Sequence, residues 1–404
     1  MDILQQELNK NQTTVNNSKS KKIVLMLIVI CIILLIMSVL GMMYIKSKPE
    51  EKKLTLVVNS ENTEITSTLL IAENDNIYVS LEEISKIVGF NYTRGGYLEY
   101  TEDNTKCYIE NKNQIVGLEA DTNKIFKTSQ NSTTDYQYFK LKNKIITNNN
   151  LLYIALEDLN TGLNLVYNYS EKENTITINS FENIIKLYKD KFENANIKVS
   201  TNNFKNMQAI AYGMFVITGE NGKMGIVDMD LKTLVGNRYD TIEFDEYSQN
   251  FIVSDDGKYG IITNKGTTIT DLQYKELEII NYNPLLYKVK KDQKYGLLNK
   301  DGAITINIEY DGIGNGRSRE DNVLIIKNIN NSNKDGLVVR KDNKYGVIDL
   351  EKGDTIVNFD LDSLYYKQDN NKITYYVQVN NLEETLEEYI NYVNTTVVNL
   401  SNNE

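Results

Sequence analysis

The first strong pattern in the chain is apolar. From Ile23 to Ile45 no side chain is charged over 23 residues, enough to span a hydrocarbon core of about 30 Å at 1.5 Å per residue. A cleaved signal has an apolar region of only about 7–15 residues, so the pattern predicts an uncleaved transmembrane helix. A polar tail, residues 1–22, precedes it, and a charged linker, residues 46–53, comes after it with Pro49. Beyond the linker the period changes. Leu81, Ile84, Ile87 and Val88 recur at helical spacing, with Ser80 placed to cap the helix, Glu83 three residues on and Gly89 placed to end it. Thr175-Ile176-Thr177-Ile178 alternates as a strand does. Ile184, Ile185, Tyr188 and Phe192 mark a helix from Phe181 to about Asn194, linking this region to the next. From about Phe215 short β-rich runs alternate with Asn-Gly and Asp-Gly turns, which mark hairpins. Leu382, Leu386, Tyr389, Ile390 and Val393 predict an amphipathic helix that ends the chain.

The hairpin region repeats one pattern four times: Lys223-Met224-Gly225, Lys258-Tyr259-Gly260, Lys294-Tyr295-Gly296 and Lys344-Tyr345-Gly346. The first three glycines lie 35 and 36 residues apart, a period of repeat architectures. Each unit reads as a meander of three or four strands, and such a unit must stack on neighbours to bury its apolar face. The central glycines, Gly225, Gly260, Gly296 and Gly346, suit a close backbone approach. Tyr239, Tyr274 and Tyr310, each 14 residues beyond its glycine, suit the core; the fourth unit has Asp360 at that spacing with Phe359 before it. Residues 204–215 are a candidate for a partial fifth unit. Residues 313–335 read as an inserted surface loop with Gly314, Gly316, Arg317 and Arg319. Whether the units close into a propeller-like ring or stay an open stack is left open by the sequence. Lys223, Lys258, Lys294 and Lys344 recur at one place in every unit, as solvent-facing strand positions or as a stripe that meets an anionic polymer.

Two stretches resemble known families. The four units look like WG (KWG) repeats, in which an aromatic-Gly pair is followed by a Gly turn and an aliphatic run ending in Tyr-Asp. Tyr239-Asp240 and Tyr310-Asp311 match that ending and Tyr274-Lys275 in part, while tyrosine or methionine stands where the family has tryptophan. Before them, Tyr78-Val79-Ser80-Leu81-Glu82-Glu83-Ile84 is echoed by Tyr153-Ile154-Ala155-Leu156-Glu157-Asp158-Leu159, and Gly89-Phe90 by Gly162-Leu163. This duplication resembles the stalk domain also called the copper amine oxidase N-terminal-like domain, with Ser80 and Ala155 in place of the usual proline. The first resemblance implies β repeats with a binding surface, the second a surface domain that holds something away from the membrane. Neither implies a reaction.

Composition narrows the chemistry. The net charge is −11, which disfavours nucleic acid as a partner. The bias toward Asn, Lys, Ile and Tyr resembles that of low-GC Gram-positive (clostridial) proteins. Histidine is absent, which removes the commonest general base and metal ligand. Of the two cysteines, Cys31 lies in the apolar run and Cys107 in a strand-like run, where a buried, inert thiol is expected. Asp228/Asp230, Asp240/Glu243 and Asp255/Asp256 sit at turns or strand ends without the spacing of a calcium loop. Gly312-Ile313-Gly314-Asn315-Gly316 lacks the lysine of a phosphate-binding loop.

The sequence therefore predicts a transmembrane helix, an α+β stalk domain in two copies (54–180), a helical linker (181–200), a mainly-β repeat region (201–378) and a C-terminal helix and tail (379–404). The functional expectation is a non-catalytic, single-pass protein of the cell membrane. Its tail is inside, its bulk outside, and its repeat head binds a cell-wall polymer or a surface protein without cofactor or metal. The alternatives are an envelope-state sensor or scaffold signalling through the short tail, and a carboxylate-dependent glycan hydrolase.

Overall fold

A computed structural model describes residues 53–73, 76–98, 103–112, 114–129, 136–201, 203–314, 325–329, 332–369 and 372–401. The predicted tail, the membrane helix at 23–45, nearly all of the linker and Cys31 lie outside the described residues. None of the described helices is long and apolar enough to cross a membrane. The chain divides into two compact units. One ends at Asn194 and takes in Ile210–Gly213, and the other comprises Ala195–Ala209 and Met214 onward.

In the first unit the duplicated segments pair with each other. The strand Asn76–Ser80 runs antiparallel to Leu151–Ala155, with Tyr78 opposite Ala155 and Ser80 opposite Tyr153. Equivalent residues thus exchange places across a local pseudo-twofold axis. Helix α1 (Leu81–Val88) continues from the first strand. Ser80 Oγ accepts the Glu83 N–H at 3.3 Å, while the Glu83 carboxylate accepts from Thr66 Oγ1 at 3.3 Å. Only half of the capping box forms. Gly89 ends α1 in the left-handed region at φ 79°. The second copy departs from the first. A single 3-10 turn (Leu156–Asp158) leads into the short helix α2 (Leu159–Leu163), which ends at Asn164, not at Gly162. Gly162 lies inside α2, where a Cβ would come 2.4 Å from Ile154 Cδ1. The helix packs closely on its own strand there, and a larger residue would require the end of the Ile154 side chain to turn aside. The strand Thr175–Ser180 pairs in parallel with the first strand, Thr55–Val58, and joins the two ends of the domain. A five-stranded antiparallel sheet (91–94, 106–110, 114–119, 124–129, 137–140) lies between the copies in sequence. One core, including Leu56, Leu81, Ile84, Ile109, Ile125, Ile154 and Ile176, unites these elements. Helix α3 (Phe181–Asn194) begins at once after the last strand and buries Phe181, Ile184 and Phe192.

Cys107 belongs to this core at 1% exposure, and burial pushes its thiol up to about 12. Reaction needs the thiolate. A thiol reagent at neutral pH should therefore leave Cys107 unmodified in the native full-length chain and label it on unfolding. Mass spectrometry of the peptide before and after denaturation checks this.

The second unit is a series of small antiparallel sheets taken in chain order. The first sheet is Lys198–Val199, Met214–Thr218, Met224–Asp228 and Thr233–Tyr239. The second is Thr241–Asp245, Asn250–Asp255, Lys258–Ile262 and Thr268–Tyr274. The third is Glu276–Tyr282, Leu285–Lys291, Lys294–Asn299 and Ile304–Tyr310. The fourth is Gly312–Ile313, Gly336–Lys341, Lys344–Asp349 and Thr355–Leu361, with Ile325–Ile326 paired beside Gly336–Leu337. The fifth is Ser363–Asp369, Lys372–Val379 and Leu382–Thr385. Residues 204–215 are therefore not a partial repeat. They form helix α4 (Phe204–Gln208), a 3-10 turn and the start of the second strand of the first sheet. The fifth sheet lies at the other end of the series. The C-terminal helix, α5 (Leu386–Ser401), begins after Leu382. Leu382 is 74% exposed on a strand, so its match to the helical period was accidental.

Neighbouring sheets share cores. Ile261, Tyr274, Tyr287 and Leu298 join the second and third; Leu297, Tyr310, Leu337 and Ile348 join the third and fourth. Val347, Leu361, Leu364 and Val377 join the fourth and fifth, and Leu386, Tyr389 and Ile390 bring α5 onto that cluster. The helix covers apolar surface that a further sheet would otherwise take, as capping elements of repeat proteins do.

Candidate functional site

The repeated residues meet where one sheet passes into the next. Each repeated glycine sits at a register shift between the third and fourth strands of its sheet. A Cβ on Gly260, Gly296 or Gly346 would lie 2.7, 2.7 and 2.8 Å from the carbonyl oxygens of Thr270, Ile306 and Val357; on Gly225 it would lie 2.6 Å from that of Val235. None of the four has a positive φ, so glycine is required by close approach and not by backbone conformation. Tyr239, Tyr274 and Tyr310 are buried at the end of the fourth strand, opposite Met224, Tyr259 and Tyr295. In the fourth sheet the residue opposite Tyr345 is Leu361, fully buried. Asp360, which the sequence spacing put in that place, instead accepts from Tyr389 Oη at 2.8 Å. The cause is a turn one residue longer: Asp349 N–H bonds to Asp354 O, whereas Asn299 N–H bonds to Ala303 O.

The lysines do not form a free row. Lys223 Nζ lies 2.6 Å from both Asp240 Oδ1 and Asp255 Oδ1, and Lys294 and Lys344 lie 2.5 Å from Asp311 and Asp362. Each of Asp240, Asp311 and Asp362 directly follows the buried residue that ends its sheet. Its other oxygen accepts a turn N–H of the next sheet, from Asp256 at 2.9 Å, Asp342 at 2.7 Å and Asn380 at 2.8 Å. Its own N–H donates to the next sheet's second strand, at Ser254 O, Arg340 O and Gln378 O. Lysine, aspartate and turn thus form a clamp that sets the register between consecutive sheets. Lys258 is the exception: it is exposed and makes no ion pair among the described residues. The Tyr-Asp ending was visible in the sequence, but its bond to a lysine 17 residues upstream was not.

Hydrogen bonds from Lys223, Lys294 and Lys344, with the turn N–H groups second, hold the Asp240, Asp311 and Asp362 carboxyls below their ordinary range. A lowered folded value stabilises the fold above the unfolded carboxylate value, about 3.9. That stability drains away as pH falls through the lower folded values. Hydrogen exchange at the turn amides of Asp256, Asp342 and Asn380, corrected for intrinsic rate, should lose protection below about pH 4. Asp311→Asn should remove the acid-dependent step at Asp342 alone.

In the remaining acidic pairs, Asp228 and Glu243 have structural partners. Asp228 Oδ1 accepts the N–H groups of Asp230 and Lys232, each at 2.9 Å. Glu243 pairs with Lys205 at 3.0 Å. Gly312–Ile313 is a strand paired with Val339–Arg340, while residues 315–324 and 330–331 of the insertion lie outside the described residues. Lys327 and Asp335 pair at 2.7 Å near its base. A cleft of about 400 Å³ opens beside it, lined by Ile326, Ile329, Ile373, Tyr375, Leu386 and Ile390. Its polar rim includes Lys327 and Glu387 but no paired acid and base of catalytic type.

Residues 57–178 match the family model of the copper amine oxidase N-terminal domain, and that domain is found here. It is an accessory, non-catalytic domain. Copper does not fit the residues present. The chain has no histidine, and among the described residues no group of three or more Cys, Asp or Glu could hold a metal ion. No curated protein matches the chain. Among solved structures, dihydro-heme d1 dehydrogenase NirN in complex with DHE is similar over 71% of this chain and 62% of its own, at 9% identity and a TM-score of 0.26. BBS1N in complex with ARL6DN is similar over 80% of this chain and 91% of its own, at 9% identity and 0.22. A eukaryotic initiation factor is similar over 71% and 69%, at 10% identity and 0.25. At these TM-scores the likenesses carry no argument.

Proposed function

We propose that this is a non-catalytic, membrane-anchored cell-surface protein whose WG-like repeats bind an anionic polymer of the cell envelope. The copper amine oxidase N-terminal domain serves as its stalk. One observation carries the reading. The repeated glycines let the third and fourth strands of each sheet close on one another, the buried ring positions and three of the four repeated lysines serve the packing of one sheet on the next, and together they converge on no reacting centre. Repetition of this kind builds an extended surface, which suits a polymer better than a small substrate. The uncharged Ile23–Ile45 run ahead of the stalk supports the anchor. The test is cosedimentation of the full-length chain, in non-ionic detergent, with purified wall sacculi before and after their anionic polymers are stripped. Retention that is lost on stripping is the expected result. No retention on either preparation would overturn the reading.

A further inference from the structure

The junction between the second and third sheets inverts the charge of the clamp. Lys258 stands where Lys223, Lys294 and Lys344 stand, but Lys275 occupies the place of Asp240, Asp311 and Asp362. Lys223 also holds Asp255, and by strand register the equivalent of Asp255 here is Lys291. An ammonium that meets two carboxylates at the first junction has two lysines in their places at the second.

The backbone is unchanged. Lys275 N–H donates to Lys290 O at 2.8 Å, as Asp240 N–H donates to Ser254 O at 2.7 Å. The turn is in place too, yet the Asp292 N–H has no acceptor among the described residues. Its equivalents at Asp256, Asp342 and Asn380 all donate to the clamp carboxylate. Asp256 and Asp342 carry the same side chain as Asp292, so that side chain does not keep an anion from the N–H. The Lys258 and Lys275 side chains make no hydrogen bond or ion pair among the described residues, and the Lys291 ammonium holds only the Gln273 side-chain oxygen, at 2.8 Å. Two neighbouring acids are engaged elsewhere: Glu276 by Lys290 at 2.7 Å, and Glu278 by Lys288.

We propose that this junction binds a phosphate group, held by Lys258, Lys275 and the Asp292 N–H where the other junctions hold their own aspartate. A carboxylate's two oxygens are matched elsewhere by one lysine and one N–H. Here a second ammonium replaces the carboxylate itself, which suits a group with more acceptor oxygens. The ligand is a phosphate group of an anionic polymer, a step that deepens the function proposed above and rests on it for the polymer, though not for the site.

The experiment is hydrogen exchange of the turn Lys291–Lys294 in the full-length chain in detergent, with inorganic phosphate or acetate against chloride at equal ionic strength. Phosphate should slow exchange at Asp292, and acetate should do so less. Lys275→Asp rebuilds the clamp, so Asp292 should be protected without phosphate. Its apparent phosphate affinity should fall by about tenfold or more, the loss expected for one charge-assisted hydrogen bond. Lys275→Gln, which adds no anion, should lose the phosphate response without gaining protection, and it serves if the aspartate variant does not fold. A phosphate effect of equal size in wild type and both variants, or none in wild type, overturns the site. Sacculus binding separates the two proposals. Retention of wild type and Lys275→Gln alike keeps the function and removes the site from it; a phosphate response without retention keeps the site and removes the function.

Discussion

Gly296→Val should destabilise the middle of the repeat series while leaving the copper amine oxidase N-terminal domain intact. A Cβ at Gly296 falls 2.7 Å from Ile306 O and 2.8 Å from both Ile308 Cα and Ile308 Cγ1. Two of these three contacts are backbone atoms of the paired strand, which cannot rotate aside as a side-chain end can. The strand must move away and the register shift around Gly296 must be lost. Overpacking alone costs about 1–3 kcal/mol, and with the bulge disrupted the upper end of that range is expected. Lys294→Ala, two residues away, removes a pair whose lysine is 41% exposed, and exposed pairs contribute little. Because each sheet packs chiefly on its neighbours, the loss should centre on the third sheet. Urea titrations read by hydrogen exchange, peptide by peptide, check this. Equal effects of Gly296→Val and Lys294→Ala on residues 276–310 would refute the assignment of close approach to the glycine.

Leu361→Ala should destabilise the C-terminal end of the series by about 2–5 kcal/mol, the usual range for a buried leucine. Leu361 is fully buried in the cluster that joins the fourth sheet, the fifth sheet and α5. Asp360→Ala should do much less, because Asp360 contributes one hydrogen bond to Tyr389, of about 1 kcal/mol. The pair of variants decides a point of register. Counting 14 residues from Gly346 puts Asp360 at the buried position, whereas strand pairing puts Leu361 there. Exchange in residues 355–390 should respond strongly to Leu361→Ala and weakly to Asp360→Ala. The reverse order would mean that the longer turn at Glu351-Lys352-Gly353 does not shift the strand.

The clamp shows why some of the candidate site was legible and some was not. Lysine before the aromatic-Gly pair and aspartate after the buried tyrosine both repeat along the chain, so each could be marked. Their pairing depends on the fourth strand returning beside the third, and their bond to a turn belongs to the next sheet. The lysine stripe was drawn from spacing alone. Spacing locates four ammonium groups, but the carboxylates that occupy three of them come from 17 or 18 residues further on. The exception at Lys275 was also in plain view, and it gained meaning only when three complete clamps defined what it replaced.

By itself the sequence determined the local elements and their order. The uncharged Ile23–Ile45 run, the duplicated Tyr78 and Tyr153 segments, the helix from Phe181 and the repeated glycines all come from period, turn chemistry and composition. These act over a few residues, so they can be read along a line. Tertiary structure alone decided which residues close the spaces between elements. It made Gly162 a packing glycine instead of a helix end, exposed Leu382 on a strand, put Leu361 in place of Asp360, and turned three repeated lysines into clamps. Each depends on atoms that come within about 3 Å only after distant strands pair, and neither hydrophobic period nor spacing records that approach.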